Sequence, residues 1–263
     1  MRLLIKQAAR APWELYKTYY SGKSFSVAAQ DTTPVAVRFK TDGTKMYILG
    51  QANNSIYQYS LATAWDISTA SYSTLSIAVG TEDTGPSGFT FKSDGTKLYM
   101  CGSQNDLVYQ YTLSTPWDIS TATYDVVSFD PSGNVLDLAF KSDGTKMYLV
   151  FSTTGVSQFS LSGAWDLSTA VSDSVTFSVT SQVGIYSLGL NFSTDGTKMY
   201  VVGGASSNSI FQYRLSSAWD LSTALYAGVS VGLFVTDGVD FKSDGTKMYV
   251  GSHGTDVVYE YHV

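Results

Sequence analysis

The chain repeats one phrase five times, and that repetition limits its fold more than anything else in it. Phe-Lys-Ser-Asp-Gly-Thr-Lys-Met-Tyr at 241–249 has close copies at 39–47, 91–99, 140–148 and 192–200. The Asp-Gly pairs begin at Asp42, Asp94, Asp143, Asp195 and Asp244, giving steps of 52, 49, 52 and 49 residues. Periods of this size belong to propellers or solenoids, in which a unit too small to bury its own apolar face stacks against copies of itself.

Each period divides into four strand-like runs. In the first they are VAVRF (35–39), KMYILG (45–50), SIYQYSL (55–61) and STLSIAV (73–79). Asp-Gly between alternating apolar runs marks a tight hairpin, because both residues tolerate positive φ. Four antiparallel strands in about 50 residues make a propeller blade.

A second marker counts the blades. Trp65, Trp117, Trp165 and Trp219 each precede Asp, then Ile or Leu, then Ser-Thr-Ala, and Trp13 precedes Glu14 and Leu15. Twelve residues after each Trp stands an apolar residue of the fourth strand: Phe25, Ile77, Phe129, Phe177 and Val231. The chain thus opens with the last strand of a blade and closes with that blade's first three. The expected fold is all-β: a single five-bladed β-propeller over residues 9–263, with four antiparallel strands per blade and the ring closed three-plus-one by the N-terminal strand. Pairing of the strand around Phe25 with that around Tyr259 leaves no open edge in the ring. Met1 to Ala8 fall outside the register and read either as a docking segment or as a disordered tail.

The hairpin Ser243–Val250 resembles that of YVTN and lactonase-type propeller repeats. More specifically, DGTKMY followed by IYQYSL and AWDISTA is similar to DGTKMY-type repeat proteins of marine bacteria and of phage tails or other virion appendages. That resemblance covers nearly the whole chain. It implies a propeller and a setting on a virion or other extracellular assembly, but no single activity, since one fold hosts many functions. A sialidase is excluded: Ser and Asp are adjacent in the repeat, and Arg2, Arg10, Arg38 and Arg214 are the only arginines. Five-bladed lectins of the tachylectin type are similar in architecture alone.

Composition narrows the partners. A net charge of −6 without a basic patch removes the main source of nucleic-acid affinity. The lone Cys101 reads as a small buried apolar residue. No classical signal peptide and no membrane-span stretch stands in the chain. The virion or extracellular setting is therefore favoured, with the cytoplasm left open. No cofactor is expected, and the aspartates lack the spacing of a metal site.

Strand order places the Asp-Gly turns and Trp-Asp segments on one face and the divergent loops on the other. On the first face the lysines beside each Asp-Gly turn neutralise the turn aspartates, and the Trp-Asp units read as blade locks. The divergent face, with Asp31, Glu82, Asp83, Asp106, Asp130, Asp137, Asp237, Asp240 and Asp256, reads as an acidic rim suited to neutral polyols, cations or a basic surface. Recognition residues favour loops on a rigid scaffold. The ligand-binding candidates are accordingly Gln51, Asn53, Asn54, Gln104, Asn105, Asp106, Asn134, Asp137, Tyr186, Asn208, Asp237, Asp240, His253 and Asp256.

The residues before each repeat's Phe, namely Arg38, Thr90, Ala139, Asn191 and Asp240, should line the central channel, and Arg38 and Asp240 are placed to pair across neighbouring blades. The expected function is a non-enzymatic recognition or structural module that binds glycans or a protein partner of a larger assembly. One alternative is a lactonase- or glycosidase-like hydrolase using Asp137, Asp240 and His253 at the channel mouth. Another is an intracellular protein-binding scaffold.

Overall fold

The Asp-Gly pairs form the tight turns that the sequence predicts. A computed structural model describes residues 11–184, 187–204, 207–233 and 237–263. In it, Gly43, Gly95, Gly144, Gly196 and Gly245 take φ of +69 to +75°, a conformation that a β-carbon disfavours. A β-carbon at Gly43 would also stand 2.4 Å from the Trp65 ring, so the turn and the tryptophan above it require each other.

Five four-stranded antiparallel sheets result. From the axis outward, blade one comprises Pro34–Phe39, Lys45–Gly50, Ser55–Leu61 and Ala70–Ala78. Blade two comprises Pro86–Phe91, Lys97–Gly102, Leu107–Leu113 and Ala122–Phe129. Blade three comprises Val135–Phe140, Lys146–Phe151, Gly155–Leu161 and Ala170–Phe177. Blade four comprises Ser187–Phe192, Lys198–Gly203, Ser209–Leu215 and Ala224–Gly232. Blade five comprises Gly238–Phe241, Lys247–Ser252, Val257–His262 and, from the other end of the chain, Tyr19–Ser26. Tyr20 pairs with Tyr261 and Phe25 with Val258, which is the three-plus-one closure. The segment Met1 to Ala8 lies outside the described residues.

Neighbouring blades are bound by one repeated lock. Tyr47, Tyr99, Tyr148, Tyr200 and Tyr249 donate from the phenol to the carbonyls of Trp117, Trp165, Trp219, Trp13 and Trp65 on the next blade, at 2.5–2.7 Å. Burial pushes these phenols above their usual range, so they remain donors. Each tryptophan also packs with its own blade's repeat Phe and the neighbouring Tyr, as Trp65 does with Phe39 and Tyr249. In blades one to four the Asp after it caps the following 3₁₀ turn: Asp66 accepts from the Ser68 amide at 3.1 Å and from its hydroxyl at 2.6 Å. Further out, Gln58, Gln110, Gln158 and Gln212 accept from the amides of Ile119, Leu167, Leu221 and Leu15 across the same joints.

On the outside, every fourth strand carries a bulge at Gly22, Thr74, Val126, Ser174 or Gly228, all at positive φ. Such bulges twist an exposed edge away from chance pairing. Cys101 is fully buried, and burial raises its thiol above the usual range. Among the described residues no helix is long and apolar enough to cross a membrane.

Candidate functional site

The five innermost strands neighbour one another in a closed ring around an axial channel. All five residues expected to line it do so: Arg38, Thr90, Ala139, Asn191 and Asp240 border a cavity of about 270 Å³ at the end carrying the Asp-Gly turns. Thr41, Ser93, Ser142 and Thr194 border the same cavity. At the opposite end a second cavity, of about 220 Å³, is lined by Thr33, Val35, Gln51, Ser87, Ser103, Leu136, Leu188, Asp237 and His253.

A buried ion pair sits deep in the ring. Arg38 Nη2 lies 2.8 Å from both oxygens of Asp137, and Nη1 donates to the carbonyls of Val37 and Val239. The partner is therefore Asp137, on blade three, and not Asp240 on the neighbouring blade. The reason is local. Asp137 occupies the strand position that holds Ala36, Gly88, Gly189 and Gly238 in the other copies, and these residues leave the space its side chain fills. A β-carbon at Gly88 would stand 2.4 Å from Asp137 Oδ1, and one at Gly238 would stand 2.7 Å from Ala36 Cα.

Asp240 instead accepts from the amides of Phe39 and Phe241 and from Asn191 Nδ2, at 2.8–3.0 Å. Asp137 also accepts from the amides of Leu138 and Leu190, both at 2.9 Å. Burial raises both carboxyls above the usual range, with Arg38 opposing it most strongly. For Arg38 burial works toward deprotonation, but Asp137 and then Asp240 overcome it and hold the guanidinium firmly charged. Every oxygen of both carboxylates is already hydrogen-bonded.

The loop candidates mostly serve the backbone. Asn54, Asp106, Asn208 and Asp256 take φ of +41 to +57°, where Asn and Asp are the usual non-glycine residues. Asp31 and Asp83, expected on an acidic rim, are buried. Asp31 accepts from the amides of Thr33, Ala52 and Asn53, and Asp83 from those of Gly85, Gln104 and Asn105. With Asp137 and Asp237 buried too, that face exposes fewer carboxylates than the sequence suggests. The side chains of Asn53 and Asn105 donate to the carbonyls of Gln30 and Glu82, and Asn134 donates to Ser103 and Asp106. Tyr186 lies outside the described residues.

Three candidates do converge. Gln51, Asp237 and His253 line the divergent-face cavity together. His253 Nδ1 lies 2.7 and 2.8 Å from the Asp237 oxygens, and the His253 amide donates to Asp237 Oδ2 at 2.9 Å. Asp237 is 8% exposed and His253 is 47% exposed. Burial raises the Asp237 carboxyl, against the hydrogen bonds from His253.

Sequence reasoning missed Thr33, Val35, Ser87, Ser103, Leu136 and Leu188, yet aligning the copies would have found most of them. Val35, Ser87, Leu136, Leu188 and Asp237 are equivalent positions, as are Gln51, Ser103 and His253. Both columns change chemistry from blade to blade.

No protein-family model matches the chain, and no curated protein matches it. Among the solved structures similar to it are three propeller-like proteins. One is a "putative 6-phosphogluconolactonase" of Bacteroides uniformis, 14% identical with a TM-score of 0.55 over 87% of this chain and 66% of that one. A functionally unknown protein of Desulfotomaculum acetoxidans is 12% identical, with a TM-score of 0.50 over 83% and 62%. The β-propeller domain of Cps50 (Swd1) of Myceliophteria thermophila is 9% identical, with a TM-score of 0.52 over 96% and 100%. The chain spans just under two thirds of the first two. The likeness is one of fold, that of a β-propeller, a class compatible with a binding or structural module.

Proposed function

We propose that the chain is a non-enzymatic recognition module that takes its ligand in the divergent-face cavity. One observation carries this reading: the cavity is walled by two columns of positions whose chemistry changes from blade to blade, and it brings a carboxylate, an imidazole, an amide and two hydroxyls together against apolar wall. Apolar walls with a few convergent polar groups are the usual make-up of a small-molecule pocket. The setting expected from the repeat resemblance, a virion appendage or other extracellular assembly, suits such a module, with a glycan or a partner protein presenting the bound group.

A glycan array and a fragment screen by ligand-observed NMR test this, run with the wild type and with Leu136→Trp, which fills the cavity. Binding that disappears in Leu136→Trp while the melting temperature holds supports the reading; binding that survives the filled cavity refutes it. The Asp237–His253 pair favours a second reading, since an imidazole oriented by a carboxylate is also half of a general-base system. Turnover of lactones or glycosides that is lost in His253→Ala would make this site the hydrolase's.

A further inference from the structure

We infer that the group seated in the divergent-face cavity is a primary ammonium. The inference rests on that cavity being the ligand site and goes on to name the chemistry it selects.

Hydrogen-bond accounting comes first. A hydroxyl has one proton and two lone pairs. Ser87 Oγ donates to the Val135 carbonyl at 3.0 Å or to that of Cys101 at 3.2 Å, and Ser103 Oγ donates to the Gly85 carbonyl at 3.2 Å. Both serines therefore turn lone pairs, not protons, to a ligand. Gln51 Nε2 is drawn toward the Pro86 carbonyl at 3.4 Å, and among the described residues no donor engages its Oε1. His253 sets Nδ1 against a carboxylate, which assigns the proton to that nitrogen and leaves Nε2 as an acceptor in the neutral ring. The wall offers acceptors in excess, and an ammonium brings three donors and no acceptor.

Charge points the same way. Among the described residues no lysine or arginine lines the cavity, and its one carboxylate, Asp237, meets there only the imidazole of His253. Deeper in the ring the described residues leave no spare positive charge, because Arg38 is bound by Asp137 with Asp240 acting on the same guanidinium. Low-dielectric walls of one sign concentrate ions of the other. Val35, Leu136 and Leu188 supply apolar wall for a short stem behind the head group. An anion would meet neither a lining cation nor a set of free donors.

Two carriers share this chemistry, an amino sugar and a lysine side chain, and matched probes separate them. Binding of n-butylammonium, glucosamine and Nα-acetyl-lysine amide is measured by calorimetry and NMR shifts in dilute buffer. Neutral counterparts are 1-butanol, N-acetylglucosamine and Nα,Nε-diacetyl-lysine amide. Each amine should bind about tenfold or more tighter than its neutral counterpart, the factor a charge-assisted hydrogen bond supplies. The tighter of glucosamine and the lysine derivative names the source. Asp237→Asn should remove that preference. His253→Lys, at a half-exposed position, should abolish amine binding while the melting temperature holds.

Neutral probes that bind as well as the amines, an unchanged preference in Asp237→Asn, or no shift with any amine at millimolar concentration overturns the inference. If Leu136→Trp still removes the binding of neutral probes, the cavity remains the site and only the ammonium assignment falls. Amine binding that survives Leu136→Trp refutes both.

Discussion

Replacing Asp137 with alanine should destabilise the propeller more than any comparable change on its surface. Arg38 and Asp137 are 7% and 1% exposed, and their hydrogen bonds are made within the channel. Removing one member of a buried pair leaves an uncompensated charge and typically costs about 3–5 kcal/mol, whereas removing both is often close to neutral. Here the other blades specify the neutral replacement: Thr90 stands where Arg38 does, and Gly88, Gly189 and Gly238 stand where Asp137 does. Arg38→Thr with Asp137→Gly should therefore recover most of the stability lost in either single variant, a coupling of about 2–4 kcal/mol. At roughly 2–4 °C per kcal/mol for a domain near this size, Asp137→Ala should melt about 6–20 °C below wild type. Urea unfolding of the four proteins of the cycle measures the coupling directly. A double variant as unstable as the two singles added together refutes the argument, as does a single variant costing under about 1 kcal/mol.

Three smaller outcomes follow from the same geometry. Val126 holds a β-branched side chain at φ +59° on the outer-strand bulge where Gly22 and Gly228 stand in other blades; Val126→Gly should stabilise by about 1 kcal/mol in urea melts, strain relief exceeding the glycine's chain entropy. Tyr99→Phe should cost more than Tyr47→Phe, about 1–3 against 0.5–1.5 kcal/mol, because Lys45 Nζ also donates to the Trp117 carbonyl whereas Lys97 turns to Asp125. Acid should loosen the scaffold face. For Asp42 and Asp94 burial works upward, but hydrogen bonds from Lys40 and Lys92 and from neighbouring threonines win and hold the carboxyls at about 2 against an ordinary 3.8. Asp143 reaches about 2 chiefly through Lys141. With folded values below unfolded ones, their stabilisation is complete above about pH 4 and is lost as pH falls toward about 2, by a small amount each because the groups are half exposed. A urea midpoint that stays level over that range contradicts this.

The sequence made the scaffold legible because its constraints are local and recur five times. Positive φ at Gly43 and the tryptophan covering it leave the same mark in every copy. The site was less legible because its logic runs between copies. Asp137 looked enzyme-like as a carboxylate beside the channel; its meaning came from the small residues at the equivalent positions and from Arg38, 99 residues away. Asn54 and Asp256 looked like ligand groups because left-handed backbone and ligand binding favour the same residue types, and only φ tells the two apart. Gln51 and His253 were found, since an amide and an imidazole on divergent loops stand out as ligand-binding types. Ser87 and Ser103 went unnoticed because serine is common throughout the chain.

The seam carries a difference of the same kind, and it yields a test of ring closure. In blades two and three a lysine of the second strand meets an aspartate of the fourth, Lys97 with Asp125 and Lys146 with Asp173, and the third-strand Gln110 and Gln158 donate to those same aspartates. In blade five the third-strand residue is Glu260, which takes Lys247 at 3.0 Å; its second oxygen, Oε2, is buried without a partner. By register, Tyr20 opposite Tyr261 matches Tyr124 opposite Tyr111, so Ser21 occupies the place of Asp125. The carboxylate has in effect moved one strand inward, where it is 1% exposed. Returning it should therefore be a coupled change. Glu260→Gln alone leaves the Lys247 ammonium without its carboxylate, and Ser21→Asp alone sets two carboxylates against one lysine. Together they rebuild the arrangement of blades two and three and should couple favourably by about 1 kcal/mol or more. Because these residues join the two ends of the chain, the coupling should also appear as slower hydrogen exchange of the Tyr19–Ser26 amides in the double variant than in either single one. Strict additivity, with no change in exchange along that strand, would mean that the fourth strand is held by its backbone pairing and aromatic contacts and that the seam charges contribute nothing to closing the ring.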